Sequence, residues 1–327
     1  MAPFKFTLAM IRPTLWMAFL GQLTANVQAQ LNSVKPQLNS VIQTATRARH
    51  NLAPILSRAT AQLDSIGKIL QVTADRKQSP IDILASITAF DSSLEDASFT
   101  FKYPATGQFK LVNAGESLQL QLGADLSGEF TASFLKEQRF ALELITMHWG
   151  TEPMNGSEHT VGGVGYAGEV HFIHRNLQYA NVELALKEPN GVLTLAVLLN
   201  ESHDDNPTLA PIVDGITQIV YKGSECAVQR VDLRQLLPPA EKMREFWMYD
   251  GSETIAPFRE NVLWIIYRST VSISSHQLDK LRTLRKEGYE SEVEHGMLPI
   301  RPVQPINGRI VRSSFRSAAQ APPIGQP

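Results

Sequence analysis

The sequence predicts a mainly β (α+β) protein: one large, mostly antiparallel twisted sheet with peripheral helices, preceded by a helical N-terminal leader. From residue 76 onward apolar residues alternate with a period near two, as at Phe99-Phe101-Tyr103, Leu118-Leu120-Leu122, Leu142-Leu144, Val170-Phe172 and Leu193-Leu195-Val197. That is the pattern of strands with one buried face. Turn residues separate the runs, notably Pro104-Ala105-Thr106-Gly107 and Glu188-Pro189-Asn190-Gly191. Before residue 76 the apolar period lengthens to three and four, as in amphipathic helices.

Residues 1–29 read as a secretory signal peptide, with Lys5 and Arg12 ahead of the apolar run Thr14 to Leu23 and a small-residue cleavage pattern at Val27-Gln28-Ala29. The run falls short of the ~20 residues a bilayer requires, so no transmembrane span is expected. Residues 30–75 form the helical leader, carried by Leu31, Leu38, Val41, Ile42, Ala45 and then Leu52 through Leu70, with Pro36 and Pro54 breaking or starting helices. Its charges before Asp64 are all basic, and its role is not legible beyond a partner-binding or loosely ordered segment. Residues 76–316 carry the sheet domain, whose convincing helix is Ser275 to Lys286, with Leu278, Leu281 and Leu284 at helical spacing. The Ser, Ala, Pro and Gln content beyond Arg312 predicts a disordered tail at 317–327.

A chain of 327 residues has room for one large sheet domain and an appendage. Its net charge of −2 and 19% charged residues create no field that would draw nucleic acid. There is no Gly-rich phosphate loop, nucleophile elbow or basic aromatic groove. Cys226 is the only cysteine, which excludes an intramolecular disulfide; the turn Lys222-Gly223-Ser224-Glu225 leads it into a strand as a buried, inert thiol. Asn155 and Asn200 head Asn-x-Ser sequons, in keeping with a glycosylated, exported chain.

The chemistry concentrates in Leu144-Ile145-Thr146-Met147-His148-Trp149-Gly150. Residues two apart on a strand share a face, so Thr146 and His148 point the same way and His171 can approach from a neighbouring strand. On residue type alone, such histidines are more often hydrogen-bonded core residues than ligands. The context favours a site. His148-Trp149-Gly150, then Gly156-Ser157-Glu158-His159-Thr160, then Glu169-Val170-His171-Phe172-Ile173-His174 resemble the zinc strands of the alpha-class carbonic anhydrases. Gln78-Ser79-Pro80-Ile81-Asp82-Ile83, Tyr249-Asp250-Gly251-Ser252-Glu253-Thr254 and Arg301-Pro302-Val303-Gln304-Pro305 follow in family order, so the resemblance spans 76–316. Residues 30–75 depart from it, lacking the aromatic-rich opening of the family.

The resemblance implies a zinc ion held by three imidazoles and a water whose pKa falls to ~7. By position, His148 and His171 match two ligands and Thr146 stands at the third, a lost ligand position. Leu144 replaces the Gln that orients the missing imidazole, while Glu169 matches the carboxylate behind His171. His159 with Tyr249 matches a buried support. Glu158 and Thr254 match the pair that orients zinc-bound hydroxide, with Ile255 in place of a Thr and Ala256 in place of a Pro. The proton-shuttle position falls on Glu116, whose reference pKa of ~4.3 suits neutral shuttling poorly.

These departures imply weak zinc binding or none, and no carbon dioxide hydration. The chain resembles most the secreted, acatalytic related proteins of the ten and eleven type, through Ala167-Gly168-Glu169-Val170, the Glu188-Pro189-Asn190-Gly191 turn and Arg301-Pro302-Val303-Gln304-Pro305; His171, which those proteins tend to lose, departs from them. That branch implies a secreted protein-binding module whose partner is extracellular, of the neuronal cell-surface receptor kind. The alternatives are a weak zinc-dependent hydratase or esterase with a degenerate metal site, and a cytoplasmic scaffold if residues 1–29 are not cleaved.

Overall fold

The computed structural model describes residues 76–316, together with Asn32, Lys35 and Pro36 at isolated helical positions. The signal peptide, the remainder of the helical leader and the tail at 317–327 lie outside the described residues. Among the described residues no helix is long and apolar enough to cross a membrane.

The strands, in chain order, are β1 (Asp82–Ile83), β2 (Thr88–Phe90), β3 (Phe99–Lys102), β4 (Gln108–Asn113), β5 (Leu118–Leu122), β6 (Glu129–Ala132), β7 (Phe140–Trp149), β8 (Thr160–Val161), β9 (Gly168–Asn176), β10 (Val192–Ser202), β11 (Glu225–Gln229), β12 (Phe246–Gly251), β13 (Val262–Ser274) and β14 (Val311–Ser313). The short helices α1 (Val182–Ala185), α2 (Ala210–Gly215) and α3 (Ser275–Leu281) sit between them. Twelve strands make one sheet in the order β11-β4-β5-β7-β9-β10-β13-β12-β14-β2, with β6 on β7 and β3 on β6. Only β10 with β13 and β14 with β2 run parallel within it, so the expected mostly antiparallel sheet is what forms. β1 and β8 make a separate parallel pair.

Strand alternation sorts the core onto two faces. Val170 and Phe172 of β9, Leu193, Leu195 and Val197 of β10, and Leu263, Ile265 and Tyr267 of β13 fill the larger cluster. Val192, Ala196 and Leu198 of β10, Val262, Trp264 and Ile266 of β13, and Tyr249 of β12 fill the smaller one on the opposite face. Each such side chain contributes about 1.5–3 kcal/mol by leaving water, which fixes register wherever a face is buried. The odd-numbered β9 residues Glu169 and His171 share the face of the smaller cluster, and the site is built there.

Two expectations from the sequence are corrected. Leu142 and Leu144 do not share a face, because the β7–β9 register shifts between them. Leu142 joins the larger core and Leu144 faces a cavity on the other side. The helix predicted to reach Lys286 stops at Leu281. It starts firmly, with Ser274 and Gln277 forming a reciprocal capping box. Past Arg282 the chain turns away, as Arg285 N–H donates to Val220 O (2.7 Å) and Met297 N–H to Leu284 O (2.8 Å). Leu284 is buried by that turn rather than by a continuing helix, so its spacing was right and its element wrong.

Candidate functional site

Register places Thr146 of β7 opposite His171 of β9, and His148 opposite Glu169. All four are buried, and the two imidazole centroids lie 4.2 Å apart. His148 Nδ1 bonds the carbonyl oxygen of Pro299. A carbonyl only accepts, so the ring hydrogen sits on Nδ1 and the lone pair on Nε2. The Thr146 hydroxyl, 3.0 Å from Nε2, therefore donates to it. On His171 the assignment is reversed: Nε2–H donates to Glu169 Oε1 at 2.8 Å, which leaves the lone pair on Nδ1. Burial pushes His148 down to about 4 and lowers His171 as well, so both rings are neutral near pH 7.

Behind this pair lies a closed polar network. Glu169 accepts from the backbone N–H of Glu158 (2.9 Å) and His159 (2.8 Å), from His159 Nδ1 (2.7 Å) and from His171. Burial would raise its pKa, but the His159 and His171 rings outweigh that and hold the carboxyl well below the usual range. His159 Nε2 lies 2.7 Å from the Tyr249 hydroxyl, which donates to Ser79 Oγ at 2.8 Å. Ser79 and Ser252 exchange backbone-to-hydroxyl bonds of 2.9 and 3.0 Å. Gly251 is required here, since a Cβ would sit 2.1 Å from Ser79 Oγ. The Gln-Ser-Pro and Tyr-Asp-Gly-Ser segments, far apart in sequence, thus meet in one place.

Glu158 is buried and pushed up to about 7 by that burial, against the opposing pull of His171. Its Oε1 accepts the Arg301 N–H at 2.8 Å, and the nearby Thr254 side chain also works against the rise. Its Oε2 has no hydrogen-bond partner and lies 3.5 Å from His148 Nδ1 and 3.8 Å from His171 Nδ1. In front of the imidazoles opens a cavity of about 250 Å³, walled by Leu144, Ile173, Leu186, Val262, Trp264 and Ile255, with Thr146, His171 and Thr254 facing it.

Other residues singled out from the sequence fall elsewhere. Glu116 is not among the residues lining the cavity; it is exposed and pairs with Lys286 at 2.9 Å. His174 faces the main core, 2.6 Å from the Tyr103 hydroxyl. Asn155 and Asn200 are exposed. Cys226 is half-buried rather than fully buried, because β11 is an edge strand; its thiol donates to Gly215 O (3.5 Å) and burial raises its pKa. Sequence reading missed Pro299, since any residue offers a carbonyl. It also missed Trp264, whose ring packs edge-on against His159 and His171 with centroids 4.8 Å from each. Trp264 lies in the continuous apolar run Val262 to Tyr267, which signals a strand buried on both faces and does not say which face the ring takes.

Two groups bring their donor atoms within 4.8 Å of one another and could hold a metal ion: His148, Glu158 and His171, and His159, Glu169 and His171. Paired imidazoles on adjacent strands, one backed by a carboxylate, are the scaffold of a metal pocket. Residues 66–315 match the eukaryotic-type carbonic anhydrase family model, and the chain belongs to the carbonic anhydrase family. It is 33% identical over 256 residues to carbonic anhydrase 1 of Monodelphis domestica, covering 76% of this chain and 93% of that protein. Human carbonic anhydrase 7 is 30% identical over 251 residues (76% and 93%), and mouse carbonic anhydrase 1 is 32% identical over 253 (77% and 95%).

The family typically binds zinc, and the donor set here does not fit a three-imidazole centre. The third place holds a hydroxyl, and that hydroxyl spends its hydrogen on the His148 lone pair a metal would need. In the second group the His159 and His171 nitrogens are already bonded to Glu169.

Proposed function

We propose that this chain is a carbonic anhydrase relative without carbon dioxide hydratase activity, exported from the cell and acting by binding an extracellular protein of the cell-surface receptor kind. One observation carries the loss of catalysis: Thr146 occupies the third ligand place and donates its hydrogen bond to His148 Nε2. A neutral hydroxyl is a poor zinc donor, and Leu144 beside it supplies no group to orient a replacement ligand. Ile255 and Ala256 continue the apolar lining where the resemblance calls for polar and rigid residues. Export rests on the leader reading of residues 1–29 and on the exposed sequons at Asn155 and Asn200.

One observation favours a weak zinc hydratase or esterase instead. His148, Glu158 and His171 lie within reach of a common ion, and Glu158 Oε2 has no hydrogen-bond partner. Elemental analysis after dialysis against a weak chelator separates the two readings. The parent is expected to hold almost no zinc and the Thr146→His variant to retain it. Hydration by that variant should stay at least ~100-fold below family rates, because Leu144 and Ile255 remain. Stoichiometric zinc in the parent would overturn the proposal.

A further inference from the structure

We infer that the 250 Å³ cavity binds a small, uncharged, largely apolar molecule whose polar end is a hydrogen-bond donor: an alcohol, a phenol or an N–H group. This rests on the metal-free reading above. Hydrogen positions at the cavity floor follow from the fixed partners behind it. His171 commits its Nε2–H to Glu169, so Nδ1 offers only a lone pair. Thr146 commits its hydroxyl hydrogen to His148 Nε2, so its oxygen offers only lone pairs. Both residues line the cavity, and both are nearly inaccessible to solvent, with exposures of 2% and 1%. Thr146 and His171 thus present acceptors to the cavity, opposite in character to a metal ion, which attracts electron pairs, while the Thr254 hydroxyl beside them can donate or accept.

The walls and mouth agree with that chemistry. Leu144, Ile173, Leu186, Val262 and Trp264 offer an apolar enclosure. At the rim Arg175 is paired with Glu143 (2.7 Å) and Glu253 with Arg259 (2.9 Å), which leaves neither rim pair with a spare charge for an ion. An apolar cavity of ~150 Å³ accommodates benzene, so this one has room for a single ring with a substituent. A carboxylate or sulfonate would bring its oxygens against the lone pairs of Thr146 and His171, with only the Thr254 hydroxyl to donate to it, and is disfavoured.

The test uses the full chain after chelator dialysis, with residual zinc measured, titrated by ¹⁹F NMR with 4-fluorophenol, 4-fluoroanisole and 4-fluorobenzoate. The phenol should bind about ten-fold or more tightly than the ether, the effect of one hydrogen bond to a buried acceptor, and the benzoate should not bind. Ile173→Trp, which fills the cavity, should abolish phenol binding; the ligand series on the parent stands whether or not that variant folds. Equal binding of phenol and ether, tighter binding of the benzoate, or no binding of the phenol would each overturn the inference. Zinc retained by the dialysed parent would instead overturn the metal-free reading, so the two failures are distinct.

Discussion

Two neighbouring groups of polar residues on the same sheet face differ sharply in how their hydrogen bonds close. In the Glu169, His159, Tyr249 and Ser79 network the carboxylate takes four donors and the chain of partners continues to the backbone of Ser252. In the Thr146, His148 and His171 group the hydrogens all point away from the cavity and lone pairs are left facing it. Buried polar groups cost least when satisfied, so the first group holds the fold together while the second, less constrained, can give up a ligand with little structural consequence. A change of one residue at 146 alters what the pocket can bind without disturbing what supports it.

The sharpest way to break this comparison is to remove Glu169. Glu169→Ala leaves two backbone N–H groups and two imidazoles buried without their acceptor and should cost about 3–5 kcal/mol, against about 1 kcal/mol for Thr146→Val. Urea unfolding of both variants measures the contrast; equal losses would show that the network is no stiffer than the pocket.

A smaller effect, with a defined pH signature, belongs to Glu158. Its pKa is about 7 in the fold against a reference of 4.5, so between those values the folded state keeps a proton that the unfolded chain has released. Its contribution is therefore fully present below about 4.5 and lost as pH rises toward 7. Glu158→Gln should gain stability relative to the parent from pH 5 to pH 8, on the order of 2–3 kcal/mol. The depressed His148 and His171 act in the opposite sense, losing stability as pH falls below 6.5, and they largely cancel when parent and variant are compared at the same pH. A flat difference across that range would contradict the burial of an ionisable carboxyl.

The smallest effect is expected at Glu116. Glu116→Gln removes one side of an exposed pair with Lys286 and should shift stability by no more than ~0.5 kcal/mol. A larger loss would mean that this turn supports the site after all.

Much of the site was legible because strand alternation is a strong constraint. Thr146 and His148 share a face, Glu169 reaches His171, and His159 meets Tyr249, all as the i, i+2 pattern and family order implied. Illegible were groups whose chemistry is independent of residue type. The Pro299 carbonyl fixes the His148 tautomer, and the Arg301 N–H holds Glu158, yet neither has a side-chain signature. Element ends were also hidden, since Leu284 continues a helical spacing on a backbone that has already turned. The Leu142 and Leu144 alternation misled because periodicity does not reveal an extra residue in a strand.

That extra residue makes β7 sensitive to odd and even count. Phe140 and Leu142 reach the main core before it, and Ile145, Met147 and Trp149 reach the same core after it. Deleting Glu143 would leave a regular ladder, since Leu142 and Leu144 already pair with the consecutive residues His174 and Ile173, and Thr146 and His148 would still face away from the main core. The extra residue thus changes the numbering of the two faces and not their content: even-numbered residues serve the main core before it and odd-numbered ones after it.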